Sequence, residues 1–144
     1  MIEQDTIKLL RECDAGVKMG ISSIEQVLPD VKNKNMEKLL TQNKEGHEKL
    51  DREIQSLLYR YNDEGKEPSV MAETMSKLKT EFKMMTEPND KTIAGLMTDG
   101  CDMGVKSLSK YLNQYKAADE QSKNIAKGLI GLEEHLRRDL RGYL

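Results

Sequence analysis

Glu-Cys-Asp-Ala-Gly-Val-Lys at residues 12–18 returns, 88 positions later, as Gly-Cys-Asp-Met-Gly-Val-Lys at residues 100–106. Glu-Gly-His-Glu-Lys-Leu-Asp at residues 45–51 returns at the same offset as Glu-Glu-His-Leu-Arg-Arg-Asp at residues 133–139. The chain's two cysteines, Cys13 and Cys101, and its two histidines, His47 and His135, are paired by this one period, and Gln26 with Gln114 extends it. A fixed internal period marks a duplicated structural unit. The repeat therefore predicts two copies of one unit, and the residues around it say what that unit is.

Ile7, Leu10, Asp14, Val17, Ile21, Ile24 and Leu28 recur at spacings of three and four, which puts them on one face of a helix over about 4–28. Pro29 and Asp30 end it. Met36, Leu40, Asn43, His47, Leu50, Ile54, Leu57 and Tyr61 keep the rhythm over about 33–62, and Asn62-Asp63-Glu64-Gly65 before Pro68 reads as a turn. A shorter amphipathic segment over about 69–86 carries Met71, Met75, Leu78, Phe82 and Met85. Asn89 or Asp90 caps a fourth helix over about 91–116, with Ile93, Met97, Cys101, Val105, Leu108, Leu112 and Tyr115 inward. The fifth runs from near Asp119 to the C-terminus on Ile125, Leu129, Leu132, Leu136, Leu140 and Tyr143. The expectation is one all-α domain over 1–144. It comprises a hairpin repeat at about 4–62, a connecting helix at about 68–87 and a second hairpin repeat at about 91–144.

Composition narrows the function. A chain of 144 residues suits a single core, and 33% charged against 4% aromatic residues leaves little material for strands. A net charge of -2 provides no basic surface for nucleic acid. No apolar run approaches the ~20 residues of a membrane span. Met-Ile-Glu-Gln-Asp-Thr at the start has neither the basic nor the apolar part of an export signal, so the expected location is cytoplasmic and the cysteines are expected to be reduced.

Two like hairpins joined by a long crossover resemble the ferritin-like superfamily. Within it, the chain is similar to small bundle families of unknown function related to rubrerythrins and to spore-coat-type proteins. The resemblance spans nearly the whole chain and rests on Glu-Cys-Asp-Ala-Gly at 12–16, Gly-Cys-Asp-Met-Gly at 100–104 and the connecting helix. It implies an up-down bundle of two hairpins, and for the spore-coat kind a role in a coat or assembly. Metal-binding members of the superfamily carry Glu-x-x-His, whereas here Lys44 and Leu132 stand three before the histidines. Each histidine is followed instead, one turn later, by Asp51 or Asp139. The candidate metal ligands are thus Asp14, His47, Asp51, Asp102, His135 and Asp139, a set of imidazoles and carboxylates suited to iron, manganese or zinc.

Each of these residues also has a plainer reading. A histidine and an aspartate one turn apart can bond to each other. Asp14, in the middle of an apolar stripe, needs His47, Lys18 or a metal as partner. Glu45 and Glu133, two before the histidines, are expected in solvent. Cys13 and Cys101 read as small apolar core residues, or as a redox pair meeting across the axis between the repeats. Gly16 and Gly104 predict a close approach of helices. Met71, Met75, Met84 and Met85 offer an adaptable face for a protein partner or a second copy. No Cys-x-x-Cys, phosphate-binding glycine loop or Ser/His/Asp arrangement is present. The leading expectation is a non-catalytic structural or protein-interaction module. A metal-binding protein and a thiol-based sensor are the alternatives.

Overall fold

The described residues form four long helices: α1 (Gln4–Val27), α2 (Lys34–Arg60), α3 (Asp90–Gln114) and α4 (Glu120–Leu140). The computed structural model describes residues 4–63, 77, 79–83 and 87–144. Residues 79–83 are helical as well, and no strand occurs among the described residues, as the all-α reading expects. Most of the connecting helix expected at about 68–87, with Met71, Met75, Leu78, Met84 and Met85, lies outside the described residues. No described helix is long and apolar enough to cross a membrane.

The helix ends are written in short polar side chains. Asn33 accepts from the backbone N–H groups of Asn35 and Met36, and Asp119 accepts from that of Ser122. Asn89 and Thr92 form a reciprocal capping box at the start of α3. Beyond the end of α2, Asn62 adopts a left-handed conformation (φ 56°), which asparagine tolerates better than most side chains. The N–H groups of Asn62 and Asp63 then close back onto the carbonyls of Tyr59 and Leu58, satisfying acceptors that the helix leaves open.

Polar bonds between ends set the directions of the helices. Asp63, just past α2, holds Arg11 near the start of α1, with Arg11 Nη2 2.6 Å from Asp63 Oδ2. Asp5 accepts from the N–H of Ala117 and Thr6 from that of Asp119, so the α3–α4 turn lies at this same end. At the opposite end, Asp90 accepts from the N–H groups of Lys32 and Asn33 in the α1–α2 turn. An acid in the first turn of each hairpin thus clamps the turn of the other, where it also meets the positive end of its own helix. The chain leaves α2 at one end and enters α3 at the other. α1 packs on α2, α3 and α4, and α4 packs on the same terms against all three; α2 and α3 lie on the long diagonal.

Burial follows this arrangement in two apolar clusters. One, near the start of α1, gathers Leu9, Leu10, Cys13, Ile54, Leu108 and Ile125 with their neighbours. The other, near the end of α1, gathers Ile24, Met36, Leu40, Ile93, Cys101 and Leu136 with theirs, and Phe82 packs against it. Each draws on all four helices, and each fully buried aliphatic side chain contributes about 1.5–3 kcal/mol.

The repeated aspartate joins the two helices of each hairpin in different surroundings. Asp14 is fully buried and accepts from Gln55 Nε2 of α2 at 2.6 Å and from Lys18 Nζ at 3.1 Å. Asp102 accepts from Arg137 Nη1 of α4 at 2.6 Å, with both side chains about half exposed. Removing Lys18 therefore leaves a buried carboxylate short of a partner, whereas removing Arg137 exposes a carboxylate to water. Lys18→Met is expected to cost about 2 kcal/mol in urea unfolding, and Arg137→Met to leave the midpoint unchanged. Equal effects would show that the two aspartates are environmentally alike.

Candidate functional site

Small residues line the seam between α1 and α3: Ala15, Gly16, Gly20 and Ser23 on one side, Gly100, Gly104 and Ser107 on the other. They leave a cavity of about 380 Å³, within the range of small-ligand pockets. Ile24, Leu96, Met97, Leu108 and Leu136 give it apolar walls. Its polar wall is made by Asn43 and His47 of α2, Cys101 of α3 and Glu133 of α4.

His47 and Glu133 are bonded to each other, and Asn43 and Cys101 stand beside that contact. His47 Nδ1 lies 2.9 Å from the carbonyl of Asn43, and a carbonyl only accepts, so Nδ1 carries a proton. His47 Nε2 lies 2.9 Å from Glu133 Oε1. At that distance one proton lies between the two atoms. The His47 side chain is 1% exposed and that of Glu133 13%, so the pair sits largely out of water. Glu133 also lies close enough to the Cys101 thiol to raise its pKa, after burial. Asn43 Nδ2 donates to the carbonyl of Leu132 at 3.0 Å, which orients the amide and leaves Asn43 Oδ1 buried without a partner.

Glycines make room for this layer. A Cβ at Gly20 would stand 2.5 Å from His47 Nε2, and one at Gly46 2.8 Å from Leu132 Cδ2. At Gly104 it would meet the Glu133 side chain and at Gly16 the Leu129 side chain, each at 3.4 Å, an ordinary van der Waals contact. At Gly100 it would meet nothing within 4 Å.

The six candidate metal ligands do not come together. Asp14 bonds Lys18 and Gln55, and Asp51 shares Gln55, whose Nε2 lies 3.1 Å from its Oδ1. His47 turns to Glu133, Asp102 to Arg137. His135 is exposed and accepts from Arg138 Nη2, while Asp139 lies 3.9 Å from Arg138 Nε. Neither repeated His/Asp pair bonds within itself. No group of three His, Cys, Asp or Glu side chains suited to a metal ion occurs among the described residues. As a set, these residues do not fit a metal centre.

Glu133 corrects the sequence reading, which puts it in solvent. It falls four after Leu129 and three before Leu136, both buried, so the inward stripe of α4 passes through it. That spacing was the available signal. Glu45, its repeat counterpart, is exposed as expected. Gly20, which the reading of Gly16 and Gly104 passed over, proves to be the tightest of the glycine approaches.

The two thiols are free, buried and held protonated. Burial, followed by the charges of Glu12 and Asp14, pushes Cys13 from 9.0 up to about 12. Burial, then the Glu133 carboxylate, raises Cys101 as well. They lie in different apolar clusters, and a protonated buried thiol is a poor nucleophile. Comparison of the chain with family models, curated proteins and solved structures gives no match.

Two outcomes follow from this geometry. Gly20→Ala is expected to lower stability by about 1–3 kcal/mol by overpacking His47, whereas Gly100→Ala raises it by about 0.5–1 kcal/mol through helix propensity alone. Thermal unfolding of both variants checks the contrast. The second concerns Cys13, whose folded-state value lies above the unfolded one. Its stabilising contribution is complete below about pH 9 and fades as pH rises toward 12. Relative to Cys13→Ala, the wild type should lose about 1.4 kcal/mol of unfolding free energy per pH unit above that point. A difference that stays flat through this window would show that the thiol ionises in the folded chain.

Proposed function

We propose that the chain is a ferritin-like helical bundle acting as a non-catalytic structural or protein-interaction module. The observation that carries this reading is the engagement of His47: one ring nitrogen faces the Asn43 carbonyl and the other faces Glu133. A histidine that ligates a metal offers a bare nitrogen, and one that works as a general base offers it to a substrate. The carboxylates that would complete a metal set are bonded to Lys18, Gln55 and Arg137 instead. Protonated, buried thiols argue in the same direction against a thiol sensor.

The ferritin-like part of the proposal is supported by the parallel course of α2 and α3 and by the 88-residue echo between the hairpins. A protein partner or a second copy, and a cytoplasmic or spore-associated place, go with that resemblance. Metal analysis of untagged protein tests the reading. The expected result is no stoichiometric iron, manganese or zinc, and a melting temperature unmoved by adding each ion. Stoichiometric metal that disappears in the His47→Ala, His135→Ala double variant would replace this proposal with a metal-binding one.

A further inference from the structure

The cleft between α1 and α3 has a use that the interaction reading does not require. We propose that it binds a small cationic amphiphile, a primary amine on an apolar body, with its ammonium toward Glu133. At about 380 Å³ the cavity has room for roughly a dozen waters at about 30 Å³ each, or for an alkyl chain with a head group. Ile24, Leu96, Leu108 and Leu136 surround the chain's path. Met19 and Met103, also on the lining, have flexible thioether side chains that adapt to its shape.

The head group is chosen by what the polar wall lacks. His47 has both ring nitrogens engaged, the Cys101 thiol lies beside Glu133, and Asn43 Nδ2 donates to the Leu132 carbonyl. What is left over is acceptor: the Glu133 carboxylate, 13% exposed, and the unpartnered Asn43 Oδ1 on the same lining. A donor is therefore required, and an ammonium brings three N–H groups and a charge. The described lining adds acidic groups around this wall: Glu12, Asp99 and Glu81, the last paired with Lys77 at 3.9 Å.

Titration of the full chain with octylamine, octanol and octanoate, followed by calorimetry and by chemical-shift changes, tests the assignment. Octylamine is expected to bind about tenfold more tightly than octanol, and octanoate not to bind. Glu133→Gln should bring octylamine down to the level of octanol without changing octanol itself. Gly100→Leu, at a position where a Cβ meets no atom, keeps the helix and should abolish binding of both by filling the cavity. Octanol binding as tightly as octylamine, octanoate binding, undiminished binding in Gly100→Leu, or no binding of the amine would each overturn the proposal. Metal content, which tests the module reading, does not bear on these titrations, so the two stand or fall separately.

Discussion

The contact between His47 Nε2 and Glu133 Oε1 is the constraint around which the waist of this bundle is arranged. It places a polar pair between two apolar clusters, on helices that start from opposite ends. Taking such a pair out of water is costly, and only close, well-directed bonds offset the cost. The neighbouring residues meet that demand. The Asn43 carbonyl takes the Nδ1 proton, the Cys101 thiol lies beside the carboxylate, and Gly20 and Gly104 let α1 and α3 come up to the pair without a side chain in the way. The same missing side chains open the cleft between α1 and α3. One requirement, room for a buried histidine–glutamate contact, thus accounts for both the glycine pattern and the cavity.

The internal repeat does not survive as a repeat of environments. In α1 and α3 the inward faces largely correspond, with Cys13 and Cys101 both buried. Yet Asp14 lies on a helix packed against all three other long helices, while Asp102 lies on one that, among the described long helices, meets α1 and α4 closely, and the first is enclosed where the second is open. Between α2 and α4 the faces are one residue out of step. Leu40 and His47 are buried in α2, but their counterparts Gly128 and His135 are exposed, and the following residues Leu129 and Leu136 are buried instead. Adjacent helical residues point about 100° apart, so this single step turns His135 out and brings Glu133 in. A metal site built from two equal halves requires equal faces, and these faces are not equal.

Much of the architecture was legible beforehand because it depends on local chemistry. Three-and-four spacing located all four long helices to within a few residues, and Pro29, Asn89 and Asp119 marked ends among them. The cleft was not legible, since it lies between helices distant in sequence and its walls are defined by absent side chains. Asp14 was recognised as needing a partner, and Lys18 was among those foreseen, but Gln55 was not. Its contact depends on how α1 and α2 are rotated about their axes, and periodicity fixes that rotation only to within a face.

Residue identities and spacing by themselves determined an all-helical chain, its helix ends and most of the residues that face inward, because each follows from interactions within a few residues along one helix. The partners of the buried polar groups were decided by tertiary structure alone. Which carboxylate meets His47, and whether a repeated aspartate meets water or a lysine, depends on the relative rotation and height of neighbouring helices. A step of one residue, invisible to the 88-residue period, shifts that rotation by about 100° and changes which side chain is buried.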